Sequence, residues 1–353
     1  MADTFMPGLV LARHFYDEVV APILDVALDG TPYSAALIGW GSDVQGFDTE
    51  RSTDHAWGPR MQVFLGSEDF RARVQDLDAV LDQQLPETFR GHPVRFVYPD
   101  GAPPRHWVHL VDFQGFFTSQ LGMDPADGLS ARTWLMVTTQ VLRELTEGAV
   151  FHDGLGLLEP YRAALAWYPD DVWRHVLACQ WKRLSQEEHF VGRCAELGDE
   201  VGSAVLAARQ VRDLMKLCLL MGGVYPPYSK WLGTAFAALP GAKELSPLLS
   251  NALVAGDAQE RERNLCAAYE TVARMHNELG LTEPLDPRVR RFHERPFLVL
   301  DAFRFTDALR ESIGDPAIRA LPTVGAVDQY VDSADLGDPE RLRRYISGPA
   351  LQG

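Results

Sequence analysis

The chain has 353 residues, 46% hydrophobic and 23% charged, the balance of a soluble globular protein with room for two domains. Its formal net charge of −16 disfavours bulk nucleic acid and anionic membrane surfaces, where phosphate neutralisation dominates binding. A small phosphorylated ligand held by a local basic cluster stays compatible with that charge.

The first residues, Met1-Ala2-Asp3-Thr4-Phe5, carry no basic region ahead of an apolar run. No segment reaches the roughly 18 apolar residues of a membrane span. Cys179, Cys194, Cys218 and Cys266 form no C-x-x-C pair and fall in helix-like segments. Buried free thiols in a reducing, cytoplasmic setting are therefore expected.

Taken in chain order, residues 5–28 read as an amphipathic helix, with Leu9, Ala12, Tyr16, Val19, Ile23 and Ala27 at helical spacing. Gly30, Thr31 and Pro32 end it. Residues 34–40 read as a short apolar strand, and 60–65 alternate as a second, with Met61, Val63 and Leu65 on one face. The spacing predicts a helix over 68–84, with Phe70, Val74, Leu77, Val80 and Leu81 inward. Strands follow at 94–98 and 107–112, around the turn Asp100-Gly101-Ala102-Pro103-Pro104. After Gly122 helical periods dominate, at 130–147, 157–167, 171–195, 199–222, 228–239, 243–255 and 257–280. A loop over 281–299, a helix near 301–313 and a tail rich in Gly, Pro and Asp complete the chain. The sequence shows no internal repeat. The expected domains are 1–122, an α/β unit with a small mixed sheet, and 123–353, a helical substrate-binding domain with an extended C-terminal tail.

The richest stretch is Leu37-Ile38-Gly39-Trp40-Gly41-Ser42-Asp43 followed by Ser52-Thr53-Asp54-His55-Ala56-Trp57. A strand, a Gly-Ser turn, an aspartate and a second strand, in that order, give the layout of a polymerase-β-type nucleotidyltransferase site. Such a site must hold a triphosphate and neutralise its charge while an acceptor oxygen attacks the α-phosphorus. Gly41 lets backbone approach phosphate closely and Ser42 offers a hydroxyl, aided by a helix dipole if the turn opens a helix. Carboxylates at i and i+2 on an extended segment project to one side and bridge two Mg²⁺ ions. Asp54 supplies the first carboxylate as a metal ligand, and Ala56 stands at the second position. His109 is either a ligand or base, or a half-buried strand histidine. Asp43, Asp48 and Glu50 read as solvated loop acids, with compensating carboxylates for the site as the alternative.

The wording from Gly39 to Asp48 and from Ser52 to Arg60 resembles the nucleotidyltransferase-like family DUF4037. The resemblance continues through Phe151-His152-Asp153-Gly154, the stretch from Trp167 to Trp173, Tyr228-Ser229-Lys230-Trp231-Leu232-Gly233 and His276-Asn277. It implies an α+β chain: a polymerase-β-like nucleotidyltransferase domain with a small mixed sheet, followed by an all-α helical bundle. It also implies Mg²⁺, ATP or another NTP, and a small hydroxyl- or amine-bearing acceptor. Relatives read Asp-His-Asp-Trp where this chain reads Asp54-His55-Ala56-Trp57, so metal binding and turnover are expected to be crippled. A nucleotide-binding or antitoxin-like module with a protein partner is the alternative.

In the helical domain Arg209, Arg212 and Lys216 share one face, beside Asp213. They form either a solvated basic stripe or a phosphate clamp. Lys230 is the phosphate or substrate contact that the resemblance implies, while Trp231 reads as core. Gln186, Glu187 and Glu188 read as exposed helix polars, with hydrogen bonds to a polar acceptor as the alternative, and His152-Asp153-Gly154 as a loop without zinc. His276 and Asn277 read as structural.

Overall fold

A computed structural model describes residues 5–54, 57–97 and 103–331. They form two compact units. One draws on Met1–Leu129 and Val141–Ala166, the other on Ser130–Gln140 and Trp167–Asp335. The boundary expected after Gly122 thus falls a few residues later, and the first unit reclaims a segment from beyond it.

The first unit is built on a four-stranded mixed sheet. Its strands are β1 (Tyr33–Leu37), β2 (Met61–Leu65), β3 (Val108–Asp112) and β4 (Ala149–Asp153), in the order β3-β2-β1-β4. β1 runs antiparallel to β2 and β4, while β2 and β3 are parallel. The return of β4 corrects the loop expected at 152–154, where His152 and Asp153 are strand residues. A five-residue strand between helices carries too little alternation to announce itself; its pairing with β1 is a long-range choice.

One sheet face, with Tyr33, Ala35, Leu37, Met61, Val63, Leu65 and Val108, joins the apolar face of the N-terminal helix in a single core. That helix is α1 (Gly8–Phe15), a π turn over Tyr16–Val20 and α2 (Ala21–Leu28). Pro22 lacks an N–H and interrupts the α ladder beside the π turn, so the helix runs on across a wider turn. Arg13 donates to the carbonyls of Val150 and Phe151, covering the polar edge of β4. α3 (Ser67–Gln84) adds Leu77 and Leu81 to the core, as its periodicity predicts. On the opposite face Phe64 meets Phe113 and Phe116 of α4 (Phe113–Leu121) edge-on. The strand expected at 94–98 is a two-residue pair, Arg95–Phe96 against Arg105–His106, and Tyr98 lies outside the described residues.

The second unit is helical. α5 (Asp170–Glu196) and α6 (Glu200–Met221) are joined through Leu197, Gly198 and Asp199, a link short enough to make them antiparallel neighbours. Asp199 caps α6 by accepting from the Gly202 amide at 2.8 Å. α7 (Ala258–Glu278) and α8 (Phe303–Ser312) complete the packing around Trp181, which stacks on Phe305 at 4.3 Å between centroids. The helix expected over 130–147 is broken into Ala131–Met136 and Thr139–Thr146. The 281–299 loop holds a small antiparallel pair, β5 (Arg290–Arg291) and β6 (Leu298–Val299). The mixed α+β class expected from the sequence is what the structure has. No helix among the described residues is long and apolar enough to cross a membrane.

His276 is a structural residue of this core, and it fixes a pH dependence. The indole N–H of Trp181 donates to His276 Nδ1 at 3.2 Å, which requires the neutral ring. Burial holds its pKa down to about 4, and that of His175 likewise to about 4. The unfolded chain therefore takes up protons on these rings before the folded one does. Their contribution to stability is complete above the ordinary histidine range and is lost as pH falls toward 4. We expect the thermal midpoint to drop on acidification from neutral pH, and the drop to shrink in His276→Gln. Equal slopes for the two proteins would contradict the assignment.

Candidate functional site

β1 ends at Leu37, yet the chain keeps contact with β2 through a side chain. Gln62 accepts from the Ile38 amide at 3.2 Å and donates to the Ile38 carbonyl at 3.0 Å, replacing one rung of the ladder. Gly39 and Gly41 then take φ of +86° and +136°, conformations that L side chains rarely adopt. Trp40, between them, is 51% exposed.

Arg60, just before β2, holds this loop. Its Nε and Nη2 donate to the two Asp43 carboxylate oxygens at 3.2 and 2.6 Å. Nη2 also donates to the Trp40 carbonyl at 2.9 Å, and the guanidinium lies 4.7 Å from the Trp40 ring centroid. Both charges are buried. A Cβ at Gly41 would collide with the Arg60 guanidinium and the Asp43 carboxylate, so this glycine is required by space as well as by φ. Asp43 is thus no solvated loop acid. Asp48 is not one either: it accepts from the Gly8 amide at 2.7 Å and from Trp57 Nε1 at 2.9 Å, tying the loop to the start of α1.

Ser42 opens a turn over residues 42–46 and not a helix, so no macrodipole supports an anion there. Asp54 is exposed at the end of a 3₁₀ turn, Glu50–Asp54, and β2 begins only at Met61. The extended carboxylate geometry expected at Asp54 is therefore absent at that residue. His55 and Ala56 lie outside the described residues. His109 sits on β3 opposite Gln62 in register, and its ring reaches solvent. Crowding by surrounding protein, then the positive charges of Arg60, His106 and Arg105, lower its pKa and favour the neutral imidazole at neutral pH. Asp112 accepts from Ser67 Oγ at 2.7 Å.

The motif carboxylates do not fit a two-magnesium centre. Asp54 is one donor, Ala56 brings none, and Asp43 is engaged with Arg60. Among the described residues no three His, Cys, Asp or Glu side chains gather as a metal-holding group.

Arg212, Lys216 and Lys230 belong to the second unit, and Gly41, Ser42, Asp54 and His109 to the first. The basic stripe is largely engaged. Arg209 forms a fork with Glu187 at 2.6 and 2.8 Å, and Arg212 Nε lies 3.5 Å from Asp213. Lys216 donates to the Asp328 carbonyl at 3.5 Å. Lys230 is exposed, its ammonium 4.8 Å from the half-buried Trp231 ring centroid. Glu188 is no exposed polar; it is buried, with burial raising its pKa to about 7. Its carboxylate accepts from the amides of Leu300, Asp301 and Ala302. The residues that organise the loop, Arg60 and Gln62, escaped the sequence reading. The available signal was a polar pair, Arg60 just before β2 and Gln62 within it.

Residues 134–232 match the sequence model of DUF4037, a domain of unknown function. The matched segment includes the stretches Phe151-His152-Asp153-Gly154 and Trp167 to Trp173, whose wording resembles that family. Among solved structures it is similar to a nucleotidyltransferase-like protein from Exiguobacterium sibiricum 255-15, at 13% identity over 86% of this chain and 89% of that one. The TM-score is 0.34, too low to transfer geometry. No curated protein matches the chain.

Removing either partner of the buried pair strands the other charge. Asp43→Ala should cost roughly 3–5 kcal/mol in denaturant unfolding. Gly41→Ala should also destabilise, through backbone strain and collision. A loss below about 1 kcal/mol for Asp43→Ala would show that the pair does not hold the loop.

Proposed function

We propose that the first unit is a nucleotidyltransferase-like domain that binds a nucleotide at the Gly39–Asp43 loop and has little or no metal-dependent transfer activity. The observation that carries this reading is the committed state of the acids. The motif retains a single carboxylate, Asp54, and the neighbouring Asp43 is locked onto Arg60.

What remains suits binding. Trp40 presents an exposed ring braced from one side by Arg60, a surface on which a base can stack. The Ser42 hydroxyl suits a phosphate oxygen. ATP or another NTP is the expected ligand. A neutral His109 can accept a proton but adds no positive charge to offset a phosphate. The donor set does not fit two Mg²⁺ ions, which leaves nucleotide binding without metal-assisted transfer.

Calorimetric titration with ATP, GTP, CTP and UTP tests the reading. Micromolar binding of at least one nucleotide is expected, nearly unchanged by EDTA and lost in Trp40→Ala. Pyrophosphate release should stay at background. In Ala56→Asp, transfer should rise by orders of magnitude if the missing carboxylate is the sole defect. Absence of nucleotide binding in both proteins would sink the proposal.

A further inference from the structure

The second unit contains a cavity of about 420 Å³ between one face of α5 and the β5–β6 pair. Lys182, Arg290 and Arg291 line it, a cationic cluster in a chain of net charge −16. Its two acids are already satisfied. Glu188 receives three backbone N–H groups, and Asp301 lies 3.3 Å from Arg304 Nε. Among the described residues neither Lys182 nor Arg291 has a salt-bridge partner; Arg290 Nη2 lies 3.6 Å from Asp286, and its buried Nε has no hydrogen-bond partner. A buried donor left unmatched in this way is a cost that a ligand would relieve.

The cavity walls are also unusual in their backbone. Asp301 and His293 take φ of +61° and +52°, two of four such non-glycine residues among those described. Left-handed backbone at such residues persists only where the surroundings enforce it, and it gathers at ligand sites. Phe292 is stacked on His189 at 4.5 Å and on Phe297 at 5.7 Å, so its faces are covered. The Lys182 ammonium lies 4.0 Å from the centroid of Phe303. The chemistry offered by the lining is thus mainly cationic and hydrogen-bonding.

We propose that this cavity binds a phosphate monoester of about sugar-phosphate size. Arg290 and Arg291 would receive the phosphate oxygens on their planar forks, and Lys182 would add a point charge. The volume lies within the range of small-molecule sites and exceeds what a bare oxyanion fills. Ser185 and Gln186 on the α5 wall offer neutral partners for hydroxyl groups.

Titration of the full chain with ribose 5-phosphate, inorganic phosphate and ribose, at physiological ionic strength, is the test. The monoester should bind well above inorganic phosphate, and ribose not at all. Arg291→Glu, at an exposed position, should weaken the monoester at least roughly tenfold with the thermal midpoint unchanged. Lys182→Gln should weaken it in the same direction. Trp40→Ala should leave it untouched, separating this site from the proposed nucleotide loop. The His189 imidazole resonances, followed by NMR, should report a raised pKa when the monoester is bound. No monoester binding, binding indifferent to Arg291→Glu, or equal binding of inorganic phosphate would each overturn the proposal.

Discussion

The buried pair of Asp43 and Arg60 is the constraint on which the first unit's loop depends. Two charges taken out of water are tolerated only with good geometry and satisfied hydrogen bonds. Both conditions are met: a bidentate contact, a third bond to the Trp40 carbonyl, and the amide of Val44 donating to Asp43. The consequences spread outward. Gly41 must lack a side chain, Trp40 is held displayed, and the chain turns back over residues 42–46. Asp43 is thereby withdrawn from any role as a free carboxylate.

The same economy of charge appears elsewhere in the chain. Asp48 ties down the start of α1, and Glu188 gathers three amides ahead of α8. Acids that look redundant in a strongly acidic composition are thus structural fasteners. Their engagement leaves local sites whose electrostatics differ from the net charge, and the cluster of Lys182, Arg290 and Arg291 is the clearest case.

Much of the architecture was legible. Helical periodicity predicted α3 and the long helices of the second unit, and alternation predicted β2, because burial of one face imposes those periods on the residues themselves. Gly41 was legible as a point of close backbone approach, and the structure adds the positive φ of Gly39 and Gly41. The site was less legible. Asp43, Asp48 and Glu188 each read as a solvated acid, since an acidic residue in a loop or on a helix has the same local signature whether or not it finds a partner. Their partners lie 17, 40 and more than 100 residues away.

The sequence by itself determined the mixed α+β class, the sheet-forming and helical segments, and the absence of a second carboxylate at Ala56. These are properties of composition, period and residue identity, which no folding event alters. Tertiary structure alone decided that β4 returns to β1 and that Arg60 claims Asp43. It also placed Asp54 on an exposed 3₁₀ turn, off the strand. Each of these outcomes is a competition between distant partners for one polar group or one sheet edge. Packing settles it, because a group buried without a partner costs more than any local preference can return.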